Sequence, residues 1–136
     1  MRSLKQEESV AIKKASDIVA ARQKGRVLAA GLGFSLGDAT LIATAISELA
    51  RNMLLYAGGG ELILQEVYKQ ERRGITMVAR DSGPGIADIR RAMTGGFSTS
   101  GGLGLGLSGV RRLMDEMDVQ SEAGHGTKVV ATIWLR

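Results

Sequence analysis

Asp81 is the side chain in this chain best placed to do chemistry. It ends an alternating segment in which Ile75, Met77, Ala79 and Asp81 share one face of a strand. A carboxylate at the end of a core-facing row costs several kcal/mol unless it finds a partner. It accepts hydrogen bonds and cannot donate them, which suits an exocyclic amino group such as that of adenine. The plainer use of a lone Asp-x-Gly is to cap a tight turn, but the glycine-rich residues after Asp81 tell against that use. Ser82-Gly83-Pro84-Gly85-Ile86 comes first, and Phe97-Ser98-Thr99-Ser100-Gly101-Gly102-Leu103-Gly104-Leu105-Gly106 comes shortly after. Residues 81–106 hold eight of the 19 glycines and the only proline. Clustered glycines bring backbone N–H groups close to a ligand and suit phosphate oxygens.

Three other places carry polar groups in suggestive positions. Glu48 and Asn52 lie one helical turn apart, a carboxylate above a neutral oxygen ligand, with Thr44 and Arg51 on the same side. Taken alone, such a pair is a solvated helix face. Thr127 opens a segment in which Thr127, Val129, Ala131, Ile133 and Leu135 share a face, so it points inward as Asp81 does. His125 is the lone histidine and sits in a Gly-flanked turn, where a tolerated turn residue is the simpler account. Gly104-Leu105-Gly106-Leu107-Ser108-Gly109 matches GxGxxG, but no strand leads into it, as the dinucleotide motif requires.

The secondary structure that carries these groups can be read from the pattern. A short strand is expected over 8–14, then a helix over 17–30 with Ile18, Val19, Val27 and Leu28 as its apolar residues, ended by Gly31 and Gly33. Ser35-Leu36-Gly37-Asp38 starts a second helix that runs to about Tyr56, with Leu41, Ile42, Ala45, Ile46, Leu49, Met53 and Leu54 as its buried stripe. Gly58-Gly59-Gly60 breaks it. Segments 61–68 and 74–81 then form a hairpin, 89–93 a short helix, about 105–117 a further helix, and 119–122 with 127–135 a second hairpin. This order predicts an α+β two-layer sandwich, a mixed, mainly antiparallel sheet with helices on one face, as one domain over 1–136.

Composition narrows the classes. The chain has 44% apolar and 24% charged residues, as an ordinary soluble domain does. It has no cysteine, and so no disulfide, thiolate nucleophile or thiolate metal site. No apolar run approaches a membrane span and the N-terminus is polar, so a cytoplasmic protein with no membrane contact is expected. The net charge is +4, but the basic residues come as scattered pairs without interleaved aromatics. That pattern speaks for solvated surface and an acidic protein partner, and against nucleic acid.

Four separated pieces occur in a fixed order: Glu48-x-x-x-Asn52 on a helix, Asp81-x-Gly83-x-Gly85 after a strand, Gly102-x-Gly104-x-Gly106 at a helix start, and Gly126-Thr127 entering a strand. Together they resemble the N box, the G1 box, the lid with the G2 box and the final Gly-Thr of the GHKL ATPases (Bergerat fold), across nearly the whole chain. The resemblance implies ATP and Mg²⁺ as cofactors. It gives Asn52 to the metal, Asp81 to the adenine amino group with support from Thr127, and Gly83 and Gly85 to the base pocket with Ile86 as an apolar wall. It gives Gly102, Gly104 and Gly106 to the phosphates and makes Glu48 the general base. The chain has no room for a dimerisation helix pair bearing a phospho-accepting His, and Tyr56 stands where the anti-sigma members carry a His. It is thus similar to small bacterial serine/threonine kinases of partner-switching pathways. That similarity implies STAS-domain substrates of the stressosome, with binding and activation of a PP2C-type phosphatase as a further role. A nucleotide-gated anti-sigma factor or switch is the alternative. An outward Trp134 beside Val130 offers a surface for a partner or a homodimer, or else packs within the chain.

Overall fold

Ser35 and Gly58 set the ends of the longest helix. The Ser35 hydroxyl accepts a 3.1 Å hydrogen bond from the Asp38 N–H, satisfying one of the donors that a helix start leaves open. Gly58 takes the left-handed conformation at φ 74° and closes the other end. In the computed structural model, which describes residues 7–83, 106–122 and 124–136, this helix is α2 (Leu36–Ala57). Before it come β1 (Glu7–Ile12) and α1 (Ala15–Leu32). After it come β2 (Gly60–Lys69), β3 (Arg72–Asp81), α3 (Gly106–Leu113), β4 (Glu116–Glu122) and β5 (Gly126–Trp134). The short helix expected over 89–93 lies outside the described residues.

The five strands form one sheet in the order β1-β2-β3-β5-β4, and every pairing among them is antiparallel. The registers place Val10, Ile12, Leu62, Leu64, Ile75, Met77, Ala79, Val129, Ala131 and Ile133 on one face, and all of them are core residues. The helices cover this face, giving the two-layer α+β sandwich expected from the sequence. On the other face Thr76 and Thr132 are paired at 2.8 Å. Trp134 lies in that outer row, as its parity requires, but it is only 6% exposed. The Arg72 guanidinium sits 4.8 Å from the ring centroid, and the indole N–H donates to Glu116 at 2.7 Å.

Two expectations are corrected. Val19 and Val27 are exposed, and α1 instead buries Ala21, Gly25, Leu28, Ala29 and Leu32. Gly25 is the reason. A Cβ there would come 2.2 Å from Ile46 Cδ1, so the glycine lets α1 and α2 approach along a face of small residues. The helix expected to reach 117 stops at Leu113, and Glu116 onward pairs with β5 from Thr132 back to Gly126.

The hairpin turn between β2 and β3 holds Gln70 and Glu71 at φ 50° and 67°. Beside it Tyr68 donates a short hydrogen bond to Glu66, which is 7% exposed. Arg73 pairs with Glu66 at 4.0 Å and donates to the Leu32 carbonyl, tying the hairpin to the end of α1. The bond to Glu66 raises the Tyr68 pKa above the ordinary phenol value of 10.0. A pKa raised by folding contributes stability that is fully present below the unfolded phenol pKa and is lost as pH rises through the folded one. The difference between ultraviolet titrations of wild type and Tyr68→Phe should therefore show a phenol titrating late. A difference curve centred at or below the ordinary value would contradict this clamp.

Candidate functional site

Asp81 ends β3 on the inner face, and its carboxylate is fixed from one side. Oδ1 accepts the backbone N–H of Gly83 at 2.9 Å and that of Thr127 at 3.3 Å. Among the described residues no donor engages Oδ2, so one oxygen anchors the group and the other is left for a ligand. Thr127 is the direct cross-strand partner of Asp81, and Ser121 on β4 is the partner of Thr127. The three side chains thus form one row across β3, β5 and β4. The Thr127 and Ser121 hydroxyl oxygens are 2.8 Å apart.

Glycines make the approaches that this geometry needs. Gly126 has φ 89°, and a Cβ on it would lie 2.1 Å from the Asp81 carbonyl oxygen, so only glycine lets β5 start this close to the end of β3. A Cβ on Gly83 would lie 2.5 Å from the Ala57 Cβ, and the loop after Asp81 therefore rests on the last turn of α2. Asp81 and Thr127 line a cavity of about 520 Å³ with Arg80, Val119, Ser121 and His125 among its walls. His125 is exposed in the turn before β5.

Glu48 and Asn52 stand on α2 as expected, but Glu48 is not on a solvated face. It is 8% exposed and forms a 3.8 Å ion pair with Arg51. The cause is that α2 is packed on several sides, by α1, α3 and the sheet. Asn52 is half-buried. A nearly buried carboxylate on a polar row is a stronger candidate for chemistry than a surface one. Gly106 begins α3 at φ 67°, while Gly85, Ile86, Gly102 and Gly104 lie outside the described residues. Ser121 was not singled out from the sequence. The expected four-residue turn, 123–126, would have put Glu122 opposite Thr127; the observed register leaves three residues between the paired Glu122 and Gly126, and that puts Ser121 there.

These residues fit Mg²⁺ and a nucleotide. Among the described residues no group of three or more His, Cys, Asp or Glu side chains could hold a metal by itself. Mg²⁺ keeps several waters and phosphate oxygens, so it needs only one or two protein oxygens such as that of Asn52.

The strand-end carboxylate of Asp81 thus lies opposite Thr127, on a five-stranded sheet covered by helices on one face. Residues 37–136 match the family described as histidine kinase-, DNA gyrase B-, and HSP90-like ATPase, and the chain belongs to it. Within that family it is 57% identical over 120 residues to the serine/threonine-protein kinase RsbT of Bacillus subtilis (strain 168), covering 88% of this chain and 90% of that one. This relationship makes the chain an enzyme of the serine/threonine-protein kinase type. It is 29% identical to the anti-sigma F factor of Clostridium novyi (strain NT), with 71% of each chain covered. The preference for a kinase over an anti-sigma type, read from the residues after Asn52, agrees with that order of identity. Among solved structures, the RsbU and RsbW domains of a Mycobacterium tuberculosis protein superpose with a TM-score of 0.65 at 19% identity, which shows the shared fold. That match covers 98% of this chain and 32% of the larger protein. Among the described residues no helix is long and apolar enough to cross a membrane.

Proposed function

We propose that residues 1–136 act as one ATP-binding kinase domain that moves the γ-phosphoryl group of ATP to a serine or threonine hydroxyl of a STAS-domain partner in a partner-switching stress pathway. The observation that carries the reading is the Asp81 carboxylate, held at Oδ1 by two backbone N–H groups with Thr127 opposite it. Oδ2 accepts the adenine amino group and Thr127 supports the same edge. Gly83, Gly85 and Ile86 shape the base pocket, and Gly102, Gly104 and Gly106 offer amides to the phosphates. Asn52 holds Mg²⁺, which when bound neutralises charge on the phosphate oxygens. Glu48 takes the proton from the partner hydroxyl as its oxygen bonds to the γ-phosphorus and the bond to the bridging oxygen breaks, releasing ADP. Arg51, paired with Glu48, helps hold that carboxylate in place.

Binding and activation of a PP2C-type phosphatase is a further role in this reading, and self-association into a homodimer is compatible with it. The similarity to an anti-sigma F factor favours a second reading, in which ATP mainly gates partner binding. Incubation with labelled Mg·ATP and a STAS-domain protein separates the two. The kinase reading expects label on a Ser or Thr of the partner. An ATP-dependent complex carrying no label would leave only the switch.

A further inference from the structure

We infer that Ser121 sets the direction of the hydrogen-bond chain ending at Thr127 and so makes the Thr127 hydroxyl an acceptor toward the base. The inference rests on the reading of Asp81 and Thr127 as an adenine site and adds a selectivity-determining residue to it. The Ser121 Oγ lies 3.1 Å from the Gly126 carbonyl oxygen and 2.8 Å from the Thr127 Oγ1. A carbonyl only accepts, and a serine hydroxyl has one proton. With that proton on the Gly126 carbonyl, Ser121 faces Thr127 as an acceptor, and Thr127 donates to it. The single proton of Thr127 is then used on the side away from Asp81, and its remaining lone-pair density faces the cavity.

The wall formed by Asp81 Oδ2 and Thr127 Oγ1 is therefore acceptor-only. An amino group at the purine 6-position has two hydrogens to offer such a wall, directly or through a water molecule. A keto group there brings a third acceptor and meets no donor. Without Ser121, Thr127 is released to turn its proton toward the cavity and meet a keto oxygen. Ser121 is thus a positioning residue: it acts on the base through Thr127. It also sits outside the loops expected to contact phosphate, so its effect should track the base and not the phosphate chain.

Titration calorimetry with ATP and with ITP, which carries a keto group in place of the 6-amino group and an N–H in place of the bare N1, tests this. Wild type should prefer ATP. In Ser121→Ala the ATP-to-ITP ratio should shrink roughly tenfold, the size of one net hydrogen bond. Ser121→Thr, which keeps the hydroxyl and suits a strand, should retain the wild-type ratio. Should the alanine chain not fold, Ser121→Cys, close in size and a weak donor, gives the same comparison. A preserved ratio in the Ala or Cys chain, with both affinities unchanged or falling together, would overturn the role of Ser121 while leaving the adenine site standing. A wild type that binds ITP as well as ATP would overturn the adenine reading and this inference with it.

Discussion

An Asp81→Asn chain is expected to fold as wild type does and to lose roughly 10²–10⁴-fold in ATP affinity. The structure explains both halves. Two backbone N–H groups, from Gly83 and Thr127, converge on Oδ1. In the variant these donors call for the amide oxygen in that place, and the loop after β3 keeps its anchor. The NH₂ group is then turned toward the cavity, where it confronts the adenine amino group donor to donor. Losing a hydrogen bond to a charged acceptor and burying an unmatched donor amount together to about 3–5 kcal/mol, which corresponds to the stated loss. Calorimetry gives the affinity and circular dichroism the fold. An affinity within about threefold of wild type would remove Asp81 from the binding site.

Glu48→Ala is expected to separate binding from chemistry. Glu48 is one helical turn before Asn52, so a metal at Asn52 brings the γ-phosphate near its carboxylate. It is nearly buried, with Arg51 at 3.8 Å, and is therefore held and not swept through solvent. Its removal deletes a proton acceptor and leaves the adenine contacts untouched. Mg·ATP should bind nearly as in wild type, while single-turnover transfer to the partner at saturating ATP should fall roughly 10²–10⁴-fold, the usual contribution of acid–base catalysis. Parallel losses in affinity and rate would assign Glu48 to the metal. A rate within about threefold of wild type, too small a change for a lost base, would dismiss it as the base.

Much of this site was legible in the chain because strand parity is strict. Two-residue alternation alone puts Asp81 and Thr127 on the covered face, and the register confirms them as partners. The ends of α2 were equally legible, since Ser35 and Gly58 satisfy specific backbone needs. The face of α2 was legible too, with Ile42, Ala45, Ile46, Leu49 and Met53 all buried as expected, but the face of α1 was not. In α1 the larger apolar residues Val19 and Val27 point to solvent, while Ala21, Gly25 and Ala29 make the contact. Close approach between helices selects small side chains, which a count of hydrophobic residues undervalues. Met114 and Met117 lie in the stretch expected to continue α3. They are four and seven residues after Val110 and so fit a continuing helix, yet Met117 belongs to β4, opposite Ala131. The burial of Glu48 was hidden for a third reason. One helix pattern shows its own strongest stripe, and only the tertiary arrangement reveals that α1, α3 and the sheet enclose the remaining sides. Contacts such as Gly83 against Ala57 join segments with no local signal linking them.

The most direct measurement is a crystal structure of the chain with Mg²⁺ and a non-hydrolysable ATP analogue. The adenine amino group should lie within hydrogen-bond distance of Asp81 Oδ2, with Thr127 on the same edge of the base, the metal on the Asn52 side-chain oxygen, and the γ-phosphate beside Glu48. A nucleotide bound elsewhere, or bound here with its base turned away from Asp81 or its γ-phosphate remote from Glu48, would contradict the proposed site and the transfer built on it.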